Sequence, residues 1–197
     1  MTSAWSERLR IRPIERPWTS RGYLPHFDHV GETQHIVFRL VDSLPARLMA
    51  ELDCTSPRAK ADLCDQALDA GHGARWLSDP RIASEVDAAL RFGDGARYHL
   101  DAWCVMPTHV HVMARFSSAG AMARVVHDWK SFTARRANAL LRRSGAFWAR
   151  EYFDRAARSE EDAGRMIDYV EANPVTAHLC STPEDWPFSS ARFREGR

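Results

Sequence analysis

The chain reads as a mixed helix-and-strand protein built around one core. Its 197 residues, 45% of them hydrophobic, are enough for a single domain with appendages. Two segments rich in β-branched and aromatic residues, 97–105 and 109–116, are separated only by Met106-Pro107-Thr108, which is short enough for a hairpin. Helical periodicity flanks them, most clearly over 120–142.

Taken in order, residues 1–31 hold five arginines, Pro13, Pro17 and Pro25, with Trp5 and Trp18 among them. That composition predicts an arm without regular structure that packs or binds through its aromatics. Residues 33–41 predict a first strand. Asp42-Ser43-Leu44-Pro45 then starts a helix, with Asp42 or Ser43 as cap and Pro45 in the first turn. Helical patterns continue to about Ala70 and are broken by Gly71-His72-Gly73. A second helix opens at Asp79-Pro80, buries Ile82, Val86, Ala89 and Leu90, and ends at Gly93-Asp94-Gly95. In the hairpin, Pro107 lacks a backbone donor and belongs to the turn, so His109 starts the outgoing strand near the sheet's rim. In the helix over 120–142, Met122, Val125, Val126, Trp129, Phe132, Arg136 and Leu140 form a stripe expected to face the core. Arg124, Arg135 and Arg142 lie off it. An aromatic extended segment follows over 147–154. Ser159 caps the last helix, Glu160, Glu161 and Asp162 complement its positive end, and Pro174 is expected to stop it at Asn173.

A formal net charge of +1 says little; its distribution says more. Ten basic residues and three acidic ones lie between Arg115 and Arg158, whereas eleven acids face seven bases between Asp42 and Asp101. A basic C-terminal half suits a local phosphate-binding surface. The four cysteines show no CxxC pair, which points to buried thiols in a reducing compartment rather than a disulfide framework. No signal peptide and no apolar run long enough to span a membrane are visible, so a cytoplasmic location is expected.

The chemistry concentrates in two places. His109 and His111 alternate with Val110 along a strand and share one face, about 7 Å apart. Such a pair can grip a divalent metal ion. In the last helix Met166, Tyr169, Val170 and Asn173 fall on one face. If that face meets the rim carrying the histidines, two imidazoles and the Asn173 amide oxygen can hold an ion, and Tyr169 can attack a phosphorus. Mg²⁺ or Mn²⁺ would draw charge from an anionic phosphodiester, and a tyrosine hydroxyl needs such help or a base to react. Tyr152 is a rival nucleophile, although Trp148 and Phe153 beside it suggest packing or base stacking. Cys104 with the two histidines could make a zinc site, but the hairpin is expected to carry Cys104 away from His109.

Met106-Pro-Thr-His-Val-His111 resembles the His-hydrophobic-His motif of the IS200/IS605-type single-tyrosine (HUH) transposases, and within them the REP-associated tyrosine transposases. Arg21-Gly-Tyr-Leu-Pro-His-Phe-Asp28, Trp129-Lys-Ser-Phe-Thr133, Phe147-Trp148, Glu151-Tyr-Phe-Asp154 and Tyr169-Val-Glu-Ala-Asn-Pro-Val175 are similar to the same branch, in order from about Arg21 to Leu179. One departure is Thr108, where such proteins usually have Asn. The resemblance implies a ferredoxin-like α+β fold: an antiparallel sheet, the histidines on a central strand, and helices packed on one face. It makes His109 and His111 metal ligands, Asn173 the third, polar ligand, and Tyr169 the nucleophile that forms a 5′-phosphotyrosine.

The domain organisation expected is a basic, aromatic arm over 1–31, the transposase domain over 32–182 with an inserted helical segment over 46–95, and a tail over 183–197. The activity expected is metal-dependent endonuclease and strand-transferase action on single-stranded DNA beside hairpins from repetitive palindromes. Mg²⁺ or Mn²⁺ is its cofactor, no nucleotide cofactor is needed, and the protein works at the nucleoid as a monomer or homodimer. Arg12, Arg16, Trp18 and Arg21 of the arm and Arg124, Lys130, Arg135 and Arg142 are candidate DNA contacts. Two alternatives remain at this level: a hairpin-binding protein without turnover, and a zinc hydrolase using Cys104.

Overall fold

The computed structural model describes residues 30–44, 67–68, 73–118 and 120–194, and the backbone of 18–20 and 25–27. Two short strands, β1 (Trp18–Ser20) and β2 (Pro25–Phe27), pair with each other. The main unit then runs β3 (Thr33–Arg39), α1 (Pro80–Phe92), β4 (Tyr98–Val105), β5 (His109–Phe116), α2 (Ala121–Leu140) and β6 (Phe153–Ala156), followed by α3 (Glu160–Thr176). Its four strands form an antiparallel sheet in the order β4-β5-β3-β6. This βαββαβ order with β3 and β5 at the centre is the ferredoxin-like arrangement, so the expected α+β class is the one observed.

The sheet buries both faces. Ile36, Phe38, Val110, Val112 and Ala114 point to one layer, where α1 and α2 supply Ile82, Val86, Leu90, Met122, Val125 and Trp129. Each of the Val, Leu, Ile, Phe and Met side chains among them contributes about 1.5–3 kcal/mol by leaving water. The other face carries Ala102, Cys104 and Met113 against Met166 and Val170 of α3. The helices therefore divide two and one between the faces, and the third covers the histidine side. Residues 80–92, inside the segment expected to be an insertion, form the first crossover helix of the sheet. The helix start expected at Asp42–Pro45 and the helical pattern to Ala70 lie mostly outside the described residues.

Local chemistry explains the boundaries. Asp79 caps α1 through the Arg81 backbone N–H at 3.0 Å, and Pro80 opens it. Ser159 caps α3 through the Asp162 N–H at 3.1 Å. Pro174 does not stop α3, which continues to Thr176. So near the helix end Pro174 removes one backbone donor, and the final turn is still held by Ala177 N–H to Asn173 O and Leu179 N–H to Pro174 O. In α2 the buried stripe is Met122, Val125, Val126, Trp129, Thr133 and Ala137, while Phe132, Arg136 and Leu140 are exposed. Small Thr133 and Ala137 let the second half of the helix approach the core, and Thr133 Oγ1 accepts from the Trp148 indole at 2.9 Å.

In β4 an irregularity between Leu100 and Ala102 resets the alternation. Leu100 and Trp103 thus face one layer, and Ala102 and Cys104 the other. Beyond α3 the chain covers the open edge of β4: Val105 N–H donates to Phe188 O at 2.9 Å and the Trp186 indole to Val105 O at 3.0 Å.

Candidate active site

Strand register assembles the site. His109 and His111 begin β5, a central strand, opposite Arg39 and Val37 of β3. Both imidazoles are fully buried beneath α3, and their Nε2 atoms lie 2.8 Å apart. The other nitrogens have their own partners. His109 Nδ1 is 2.8 Å from Thr108 Oγ1, whose hydroxyl reaches the Leu68 carbonyl at 3.2 Å. With that hydroxyl donating onward, Oγ1 accepts from His109 Nδ1–H, and this network assigns His109 Nε2 its lone pair. Thr108, at the position where the resemblance leads one to expect Asn, is thus the group that orients His109.

His111 Nδ1 meets a residue that belongs to neither motif. His35 of β3 places Nε2 3.1 Å from it, with the two rings stacked at 5.3 Å between centroids. The signal was present in the first strand, since alternation puts His35 on the same face as Val37 and Arg39. Only the register reveals what that face meets: His35 pairs with Met113, one side-chain step from His111.

Burial removes the charge from all three rings. It pushes His35 down to about 4, with the Arg155 guanidinium adding to the effect. It pushes His109 down to about 3, with His35 adding, and His111 well below its usual value, with His109 and then His35 adding. Neutral imidazoles are the ligand-competent form.

From α3, Asn173 is buried and brings its amide nitrogen within 3.3 Å of His111 Nε2. Its Oδ1 is buried without a hydrogen-bond partner. Amide oxygen and nitrogen exchange places by a half-turn of the group, which would aim the oxygen at the two Nε2 atoms. Two neutral imidazole nitrogens and an orphaned amide oxygen brought together in this way form a donor set that fits a divalent cation.

Tyr169, one turn before Asn173, sits at the margin of the buried stripe and is 42% exposed. Its ring stands edge-on to His111 at 5.9 Å and to His35 at 6.2 Å. An exposed phenol beside buried imidazoles can meet an incoming strand, and the fold brings Tyr169, Asn173, His109 and His111 together within one chain.

The remaining candidates separate from this centre. Tyr152 packs against the core on the far face of the sheet. Cys104 is closer than the hairpin suggests, since it pairs with His111 across the strands and shares its face. Yet among the described residues no three His, Cys, Asp or Glu side chains are arranged to hold an ion, so the structure lends the zinc alternative no support. Arg124, Arg135 and Arg142 are exposed on or just beyond α2, with the sheet between them and the histidines. Lys130 is half-buried: its Nζ donates to the Arg150 carbonyl at 2.7 Å, and burial pushes it down to about 8 against the opposing pull of Glu151. Arg12, Arg16 and Arg21 lie outside the described residues, and only the backbone of Trp18 is described.

Residues 87–173, from the middle of α1 to Asn173, match the family described as "Transposase IS200 like". No curated protein matches the chain in sequence. Among solved structures, the fold is similar to that of a REP-associated tyrosine transposase bound to a REP hairpin. The TM-score is 0.58 at 16% identity, covering 86% of this chain and 82% of that one. A transposase-type protein from Deinococcus radiodurans R1 superposes loosely, at a TM-score of 0.32 and 16% identity over 79% and 96% of the two chains. Residues 87–173 are thus similar to IS200-like transposases, the match ends on Asn173, and the likeness in fold covers more of the chain than the match in sequence.

Proposed function

We propose that this protein is a metal-dependent endonuclease and strand transferase of single-stranded DNA, acting beside DNA hairpins through Tyr169. The observation that carries this reading is the convergence of two neutral imidazole nitrogens, an orphaned amide oxygen and a half-exposed tyrosine ring on one rim. The hairpin bound to the solved REP-associated relative supports a hairpin-bearing DNA partner.

His109, His111 and Asn173 would hold the ion, and Mg²⁺ or Mn²⁺ there would draw charge from a phosphodiester and orient it. Two imidazoles in the donor set favour Mn²⁺ over the more oxygen-seeking Mg²⁺. Tyr169 Oη attacks phosphorus and loses its proton. A Tyr–O–P bond forms, the bond to the leaving O3′ breaks, and that oxygen takes up a proton. The strand end is then a 5′-phosphotyrosine, and attack by another 3′-hydroxyl releases the tyrosine and reseals DNA. The stacked rings of His35 and His111 both meet the Tyr169 ring edge-on, which limits the orientations from which Oη can approach.

DNA positioning falls to Arg12, Arg16, Trp18 and Arg21 of the arm and to Arg124, Lys130, Arg135 and Arg142. A half-buried Lys130 contributes less than an exposed arginine. A DNA substrate puts the work at the nucleoid, and a site complete within one chain suits a monomer. Among the described residues no helix is long and apolar enough to cross a membrane.

The test is an SDS-resistant adduct assay with Mn²⁺ and labelled single-stranded hairpins flanked by random bases. An adduct formed by the native chain and lost in both Tyr169→Phe and His109→Ala/His111→Ala is the expected result. An adduct that persists in Tyr169→Phe overturns the assignment of the nucleophile.

A further inference from the structure

The nitrogen-to-nitrogen contact between His35 and His111 has no part in the chemistry just described, although it lies within hydrogen-bond distance. His35 Nε2 lies 3.1 Å from His111 Nδ1, with the rings 13° from parallel. A histidine that binds a metal through Nε2 must carry its hydrogen on Nδ1, and what accepts that hydrogen fixes both the tautomer and the ring's orientation. For His109 the acceptor is the Thr108 hydroxyl. For His111 the hydrogen-bonding atom found at Nδ1 is the ring nitrogen of His35.

We propose that His35 is a positioning residue of the metal centre: its Nε2 accepts the hydrogen of His111 Nδ1 and thereby holds the His111 Nε2 lone pair toward the ion. This rests on the proposed metal site. It assigns a role to a residue on a different strand, 76 positions away in sequence from the ligand it serves.

The geometry allows the pair two settings. With the hydrogen of His35 on Nε2, that nitrogen donates to His111 Nδ1, and His111 then carries its own hydrogen on Nε2, pointed at His109 Nε2 2.8 Å away. That setting satisfies every nitrogen between the two strands without an ion. With the hydrogen of His35 on Nδ1, the direction of the bond reverses and His111 Nε2 is left open as a ligand. Both rings stay neutral in either setting, so loading the site requires only that each ring exchange its hydrogen between its two nitrogens. A phenylalanine at position 35 keeps the stacking and the edge contact with Tyr169 but has no acceptor. A glutamine can return an acceptor atom near the same place.

The experiment measures Mn²⁺ binding to the full chain by isothermal titration calorimetry, in the native protein, His35→Phe, His35→Gln and His109→Ala/His111→Ala. Loss of such an outer partner costs about 10- to 100-fold in metal affinity. His35→Phe is therefore expected to weaken Mn²⁺ binding by that factor, and His35→Gln to recover most of it. In parallel, ¹⁵N–¹H correlation of the imidazole rings in native protein saturated with Mg²⁺ should find His111 protonated on Nδ1. That spectrum needs no variant to fold. Native affinity in His35→Phe, or a His111 protonated on Nε2 in the Mg²⁺-loaded protein, overturns the role of His35 and leaves the metal site standing. Mn²⁺ binding that is unchanged in His109→Ala/His111→Ala removes the metal site itself and the His35 role with it.

Discussion

Tyr169 separates chemistry from stability at the level of one atom. Replacing it by Phe removes Oη and keeps the ring contacts with His35 and His111. The expected result is complete loss of the covalent DNA adduct, with hairpin binding retained and folding stability changed by less than about 0.5 kcal/mol. Asn173 should behave in the opposite way. Its buried Oδ1 has no partner in the absence of an ion, so an apolar side chain of similar size relieves an unpaired acceptor. Asn173→Leu is predicted to raise the stability of the metal-free protein by about 1 kcal/mol and to weaken Mn²⁺ binding. Thermal unfolding with and without Mn²⁺ checks both halves, and a lower midpoint for the metal-free variant would count against the orphaned oxygen. Spacing puts His109 with His111, and Tyr169 with Asn173, on defined faces, and the fold brings those two faces together, while their proposed roles rest on the resemblance. His35 was not legible, because a single histidine in a strand gains meaning only from the strand beside it.

At the scale of elements, caps and turns set the stops that hold the site. Ser159 anchors the start of α3, the helix that carries Tyr169 and Asn173. Ser159→Ala should cost about 1 kcal/mol, measurable as a lower urea midpoint with unchanged slope. Gly73 has φ +77, and a Cβ there would collide with the Asp42 carbonyl, which accepts from Ala74 N–H at 3.0 Å. Gly73→Ala is therefore expected to destabilise more than the Ser159 change; equal or smaller loss would show that this turn relaxes freely. Element types followed from periodicity and capping residues, and β4, β5 and α1 lie close to where the pattern puts them. The departures are tertiary. Thr133 and Ala137 replace Phe132, Arg136 and Leu140 as the inward face of α2, because the second half of the helix lies against Trp148 rather than following a fixed hydrophobic stripe. Pro174 sits within α3 because one lost donor near a helix end is cheap when the following turn is otherwise bonded.

For the whole molecule, the three histidines of the site, two buried and one half-buried, tie folding to pH. His35 and His109 are held at about 4 and about 3, and His111 lies well below its ordinary value, whereas the unfolded chain titrates near 6.5. Between those values the unfolded state binds more protons, so stability is full above about pH 6.5 and is lost as pH falls toward 3. Each ring contributes up to about 1.4 kcal/mol per pH unit in that window. Urea unfolding of metal-free protein at pH 7, 6 and 5 tests this, and a flat profile would falsify it. The site also lies within one chain. Mixing Tyr169→Phe with His109→Ala/His111→Ala is expected to restore no adduct; restoration would mean that the working site draws on two chains. Residues 109–111 and 166–173 alone determined which chemical groups were available and on which faces they stood, because strand and helix periodicities are local. Only the tertiary structure decided that α3 crosses the histidine face of the sheet, that Thr108 and His35 flank His109 and His111, and that Arg124 and Arg135 stand behind the sheet. Those outcomes depend on strand register and on which layer each helix covers, and both are set by contacts between residues far apart in the chain.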